Sequence, residues 1–65
     1  MVDRKIIASW SMSRRSLDDN IRRHQSLAEE SARLRGFGEG SGVVLHREIT
    51  PSQVSGWLDV VWYVC

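Results

Sequence analysis

From Arg4 to Met12 the chain alternates. Ile6, Ala8, Trp10 and Met12 share one parity, and Lys5, Ile7, Ser9 and Ser11 share the other. A period of two marks a strand with one buried face, so a first strand is expected here with its even-numbered residues turned inward. The pattern then changes period. After a polar break at Ser13 to Ser16, Leu17, Ile21, His24, Ala28 and Ser31 recur at helical spacing, with Leu27 and Leu34 flanking them.

The helix is predicted to run from Leu17 to about Arg35. Ser16 is placed as its N-cap, with Asp19 three residues on as in a capping box and Asp18 also in the first turn, where a carboxylate suits the helix dipole. Arg33 and Arg35 lie near the other end, and Gly36 can take the left-handed cap. On the outer face three acid-first pairs are expected at i, i+4: Asp18 with Arg22, Asp19 with Arg23 and Glu29 with Arg33. The apolar stripe is thin, with a histidine and a serine near its centre. It suits one face of a small sheet rather than a coiled-coil seam.

Gly36 to Gly42 reads as a flexible connector in which Phe37 is expected to plug the open end of the core. Its alternating glycines resemble a phosphate cradle only superficially. Such a loop follows a strand and opens a helix, and here the order is reversed. A second strand is predicted over Val43 to Ile49, with Val43, Leu45 and Ile49 on one face and Val44, His46 and Glu48 on the other. Thr50-Pro51-Ser52-Gln53 reads as a turn. A third strand follows from Val54 to Cys65, with Gly56 marking a bulge or a close backbone approach.

The stretch Trp57-Leu58-Asp59-Val60-Val61-Trp62-Tyr63-Val64-Cys65 is the most apolar in the chain and has the composition of a buried strand. It belongs in the middle of the sheet. The expected fold is one α+β domain spanning residues 1–65: a three-stranded antiparallel sheet built β-α-β-β, in spatial order 2-3-1, with the helix across one face. A helix of about 19 residues is about 28 Å long, enough to carry the chain back along the sheet. Leu58, Val60, Trp62 and Val64 are expected to face the helix, although both faces of this strand are apolar and the opposite phase is open. Trp57, Asp59, Val61 and Tyr63 then face away, with Val44, Ile7 and His46 beside them. One helix leaves that second face uncovered, and unless the sheet curls enough to cover itself, an apolar patch of this kind marks an interaction site or a homodimer contact through the open sheet.

Composition narrows the chemistry. Sixty-five residues bury a small core that needs good packing or an oligomer. One cysteine rules out an internal disulfide and fits a reducing, cytoplasmic setting. The opening Met-Val-Asp-Arg-Lys leads into too short an apolar run for a signal peptide, and no stretch is long enough to cross a membrane. Nine basic and eight acidic groups give a net charge of +1, which argues against a strong non-specific nucleic-acid binder. Eight of the nine basic groups are arginine, which suits bidentate contacts at interfaces.

No catalytic set emerges. None of the nine serines sits in a nucleophile-elbow pattern. His24, His46 and Cys65 have no zinc-site spacing. His24 is expected as a half-buried core histidine, and His46 as a cross-strand neighbour of Trp57. A domain this small leaves little room for a ligand pocket. The chain is therefore expected to be no enzyme and to need no cofactor or metal.

Two binding surfaces remain. Glu29, Glu30, Glu39, Glu48 and Asp59, together with Trp57 and Tyr63, can meet a basic groove on a larger protein by presenting charge as a nucleic acid would. Glu39, Glu48 and Asp59 have no evident local partner. The alternative is a small nucleic-acid-binding regulatory domain using Arg14, Arg15, Arg22 and Arg23, although the aromatic signature of an RNA-binding sheet is absent. In its small size, its β-α-β-β layout and its lack of a catalytic set, the chain resembles the small inhibitors carried by phages and mobile elements, including anti-CRISPR proteins. The resemblance covers the layout alone, with no shared motif. It implies a CRISPR–Cas effector as partner, blockade of target-DNA or PAM binding as mechanism, and contact through the acidic residues or the aromatic sheet face.

Overall fold

The computed structural model describes residues 3–38 and 40–65. Strand β1 (Lys5–Ser13) leads through a 3-10 turn (Arg14–Ser16) into helix α1 (Leu17–Leu34), and β2 (His46–Pro51) and β3 (Trp57–Val64) follow. The sheet order is β1-β3-β2, and both pairings are antiparallel. The most apolar strand thus takes the centre, where both of its edges are hydrogen-bonded. The fold is the small α+β domain expected from the pattern.

The phase of β3 is also as expected. Val60, Trp62 and Val64 are buried, and Leu58 is half-buried. Met12, Val60 and Trp62 pack beneath Ala28, with Ala8, Trp10, Leu17, Ile21 and Leu45 around them. Ile7, Val64 and Ala32 form a second cluster closed by Phe37, Val43 and Leu45. Alanine at 28, over Met12, Val60 and Trp62, and at 32, over Ile7 and Val64, lets the helix approach the sheet without overpacking the core.

β1 departs from simple alternation. Ile6 lies opposite Tyr63 and Ala8 opposite Trp62, so Ile7 is an extra residue, a β-bulge. The bulge shifts the parity of everything before it. Ile7 is therefore 5% exposed in the core, whereas Ile6 is 50% exposed on the far face. The expectation that Ile6 faces inward and Ile7 outward is reversed, because a continuous period of two cannot register an inserted residue.

The helix begins and ends where the sequence places it, but its entry differs. Ser16 has φ −116° and ψ 23°, not the extended backbone of an N-cap, and makes no cap bond. Its Oγ accepts instead from Asn20 Nδ2 at 3.0 Å. Capping moves one turn back to the extended Ser13, whose Oγ accepts from Arg15 N at 3.4 Å at the start of the 3-10 turn. At the other end Gly36 adopts φ 89°. Gly36 N donates to Arg33 O and Phe37 N to Ala32 O, the paired bonds of a Schellman cap, and Phe37 packs back on Ala32. None of the three expected i, i+4 ion pairs forms. Arg33 lies 3.9 Å from Glu30 instead. Exposed pairs gain too little over side-chain entropy to hold one geometry.

β2 starts three residues later than expected and runs through Thr50 and Pro51. Val43 and Leu45 still pack on the core from outside the strand. The turn is Ser52 to Gly56, closed by Ser52 N donating to Trp57 O at 3.1 Å, with Gly56 at φ 82°. Gly56 is thus a turn residue rather than a strand bulge. Pro51 is tolerated because bonded partners alternate along an antiparallel pair. The closing bond at Ser52–Trp57 puts the Pro51 nitrogen on the outer edge, where no donor is needed.

Candidate protein-binding face

Among the described residues, no second layer covers the face of the sheet away from α1. Its centre line is Trp57, Asp59, Val61 and Tyr63, all from β3. The register adds Ile6 and His46 beside Tyr63, Ser9 and Glu48 beside Val61, Ser11 and Thr50 beside Asp59, and Ser13 beside Trp57. The result is two bulky ends and a middle of small side chains. Six residues of strand separate Trp57 from Tyr63, a distance of about 20 Å.

One end is a cluster built on Tyr63. The His46 ring stacks on it with centroids 5.3 Å apart and planes at 21°. The Arg4 guanidinium lies over the same ring, 4.3 Å from its centroid. Arg4 Nη1 also donates to Glu48 Oε2 at 2.7 Å. That hydrogen bond, with the attraction of the Glu48 charge, raises the Arg4 pKa above its ordinary value. The side chain is therefore a fixed positive charge. The other end is Trp57, 44% exposed.

The acidic residues do not form one surface. Glu48 and Asp59 lie on the open face, and both have partners: Arg4 holds Glu48, and Ser11 Oγ donates to Asp59 Oδ1 at 2.7 Å. The expectation that they lack local partners is corrected, because the partners lie 44 and 48 residues away in sequence and meet them only through the register. Glu29 and Glu30 belong to the other layer. They line an open groove of about 730 Å³ between α1 and the segment from Phe37 to Leu45, with Val44 exposed beside them. The groove is open to solvent rather than an enclosed cavity. Glu39 lies outside the described residues.

His46 neighbours Tyr63 rather than Trp57, since the hairpin register pairs the start of β2 with the end of β3. His24 is half-buried, as expected. Its Nδ1–H donates to Asn20 O at 2.7 Å, and its ring lies 4.5 Å from that of Trp10. Cys65 is a free, exposed thiol. Among the described residues no three His, Cys, Asp or Glu side chains are placed to hold a metal ion, and no helix is long and apolar enough to cross a membrane.

The four candidate arginines are exposed but dispersed. Arg14 and Arg15 sit in the 3-10 turn beside Asp18 and Asp19. Arg22 and Arg23 follow on the helix, about 100° apart around its axis. None joins the aromatic residues of the sheet face. The arginine that does, Arg4, carried one signal in the sequence: it shares parity with Ile6, which becomes informative only once the bulge at Ile7 is known.

Comparison of the chain with protein-family models, with curated proteins and with solved structures finds no match.

Proposed function

We propose that the chain is a non-enzymatic binding protein that lays its open sheet face against a larger protein and occludes a functional surface there. The observation that carries this reading is the uncovered face itself. An exposed Trp57 lies at one end of it, and at the other Tyr63 has the Arg4 guanidinium over its ring and the His46 ring stacked on it. Tryptophan, tyrosine and arginine are the side chains that most often dominate binding energy at protein interfaces. Because Tyr63 is already flanked by two side chains, little rotamer freedom is lost on docking.

The footprint narrows to Trp57, Asp59, Tyr63 and Glu48, joined by Arg4, His46 and Ile6. Glu29 and Glu30 lie on the opposite layer and cannot share a flat contact with them. The charge presented by this footprint is mixed, so the docking reading relies on aromatic packing and paired hydrogen bonds more than on phosphate mimicry.

The resemblance to anti-CRISPR proteins suggests the class of partner. The finer proposal is a cytoplasmic inhibitor that covers the DNA- or PAM-binding surface of a CRISPR–Cas effector. Purified chain titrated against purified effector–guide complexes tests it, with target-DNA retention as the readout. The expected result is loss of DNA binding, relieved by the Trp57→Ala, Tyr63→Ala double variant. Unchanged DNA binding at saturating excess of the chain removes the effector as partner.

A further inference from the structure

The two outer edges of the sheet are not equivalent. Arg14 N donates to Gly56 O at 2.9 Å, which makes Arg14 and Gly56 a hydrogen-bonded antiparallel pair. Bonded and non-bonded pairs alternate, so Met12–Leu58 and Trp10–Val60 are bonded across the ladder. The backbone groups of Ser9, Ser11 and Ser13 must then point outward. Arg35 Nη1 donating to Ile6 O at 3.4 Å confirms the same outward direction on the other side of the bulge. β1 is an edge strand, so among the described residues no strand pairs with the outward N–H and C=O of Ser9 and Ser11, whereas the Ser13 carbonyl is taken up by the 3-10 turn that follows it. The β2 edge is protected differently. It is six residues long, and its outward positions are Arg47, Ile49 and Pro51, the last without a donor. From Ile7 to Ser13 the β1 strand carries no charged residue and no proline, and the Arg35 guanidinium reaches the edge at Ile6. Natural proteins use charges and prolines to blunt such edges.

A second observation falls on the same flank. The side of α1 nearest β2 carries Arg22, Gln25, Ser26 and Glu29, which line the grooves toward Arg47 and the connector. The opposite side therefore overhangs the β1 edge, as the packing of His24 on Trp10 shows. Leu27 lies on that overhanging side, 51% exposed, and Leu34 continues the stripe one heptad on, 80% exposed. Trp10, directly beneath, is only half-buried.

We propose that a second copy of the chain pairs antiparallel along this edge, extending the sheet to six strands with both helices on one face. Ser9 of each copy pairs with Ser11 of the other, and the two Trp10 side chains meet on the two-fold axis beneath Leu27. Antiparallel pairing of one strand with itself is self-complementary, as a two-fold interface requires. The helix rests on residues from both β1 and β3, so its axis lies about half a strand spacing inside β1. Two-fold-related helices then lie about 10 Å apart, the ordinary distance for packed helices. A nine-residue strand is about 30 Å long, and sheet and helix together are about 20 Å deep, giving a flank of about 600 Å² per copy. That is the lower end of what a specific interface buries on each side. The open face remains free in this arrangement, so the dimer stands or falls independently of the docking reading above.

Sedimentation equilibrium over a dilution series from millimolar to micromolar tests the proposal. A species of twice the 7.4 kDa chain mass is expected at the concentrated end. Ser9→Pro removes only an outward N–H and leaves the internal ladder intact, and Leu27→Glu charges the overhanging helix side. Each is expected to weaken association by about tenfold or more, whereas Trp57→Ala leaves it unchanged. In the wild-type dimer the amides of Ser9 and Ser11 exchange slowly, and they become fast on dilution. A monomer at every concentration overturns the proposal. So does a dimer that survives both edge variants or is lost with Trp57→Ala, since either result places the contact elsewhere.

Discussion

The Trp62 indole Nε1–H donates to Gln25 Oε1 over 2.8 Å, joining the central strand to the helix at the one polar atom of a fully buried ring. The same oxygen accepts from Arg47 Nη1 at 3.3 Å, so β2 is tied to the junction as well. Without Gln25 the indole donor is left in the core with no acceptor. Gln25→Leu is therefore expected to cost about 1–2 kcal/mol. For a domain of this size, that lowers Tm by about 4–8 °C per kcal/mol. In a Trp62→Phe background, which has no donor to strand, the same substitution should cost less than about 0.5 kcal/mol. Equal losses in the two backgrounds would show that the bond contributes nothing.

The bulge at Ile7 makes a second prediction, in which two adjacent isoleucines behave oppositely. Ile7→Ala empties a site between Ala32 and Val64 and is expected to cost about 2–4 kcal/mol. Ile6→Ala removes a half-exposed side chain from the open face and should change stability by no more than about 0.5 kcal/mol. Urea unfolding of the two variants checks this directly. The reverse order of midpoints would mean that the strand alternates without a bulge.

The same pair shows which parts of the fold were legible in the chain. Strand order and the central place of β3 follow from where apolar residues concentrate, whereas the inward set Val60, Trp62 and Val64 is one of two phases that a strand apolar on both faces allows. The helix ends follow from Leu17 after a polar break and from Gly36. The bulge left no trace, because Ile6-Ile7 reads equally well in either phase. The open face was legible as a leftover, since one helix cannot cover two sides of a sheet. Its composition was only half legible. Trp57, Asp59 and Tyr63 lie on one strand and follow from parity. The partners Arg4 and Ser11 come from the far end of the chain and are chosen by register, which the pattern of a single strand does not encode. Charge alone groups Glu29 and Glu30 with Glu48 and Asp59, and charge says nothing about which layer a residue occupies.

The helix C-terminus separates two glycines that composition treats alike. Gly36 holds φ 89° with open space where a Cβ would stand, so Gly36→Ala meets no clash and costs only the left-handed backbone, about 1–2 kcal/mol. Gly38 has no such φ, but a Cβ there would stand 2.9 Å from Arg33 Cγ, with Arg33 Cβ at 3.3 Å and Cα at 3.4 Å, the base of the side chain rather than its movable end. Gly38→Ala is therefore expected to cost about 1 kcal/mol or more through crowding. Thermal unfolding should show a lower Tm for both variants, and adding Arg33→Ala should relieve the loss at Gly38 but not at Gly36.

The last prediction concerns the docking face and separates it from the arginine-based alternative. Trp57→Ala and Tyr63→Ala both alter exposed or half-exposed residues outside the core clusters, so neither should move Tm by more than a few degrees. If the face meets a protein partner, each is expected to weaken binding by about 2 kcal/mol, roughly thirtyfold. Glu48→Ala should act differently. It releases Arg4 from its hydrogen bond, so the guanidinium becomes free to leave the Tyr63 ring, and the loss should appear mainly as faster dissociation. Replacing Arg14, Arg15, Arg22 and Arg23 by glutamine should leave the same affinity within about twofold, since none lies on the face. Surface plasmon resonance against the partner reads all four effects. Affinity lost with the arginines and kept without Trp57 and Tyr63 would move the functional surface from the sheet to the 3-10 turn and helix.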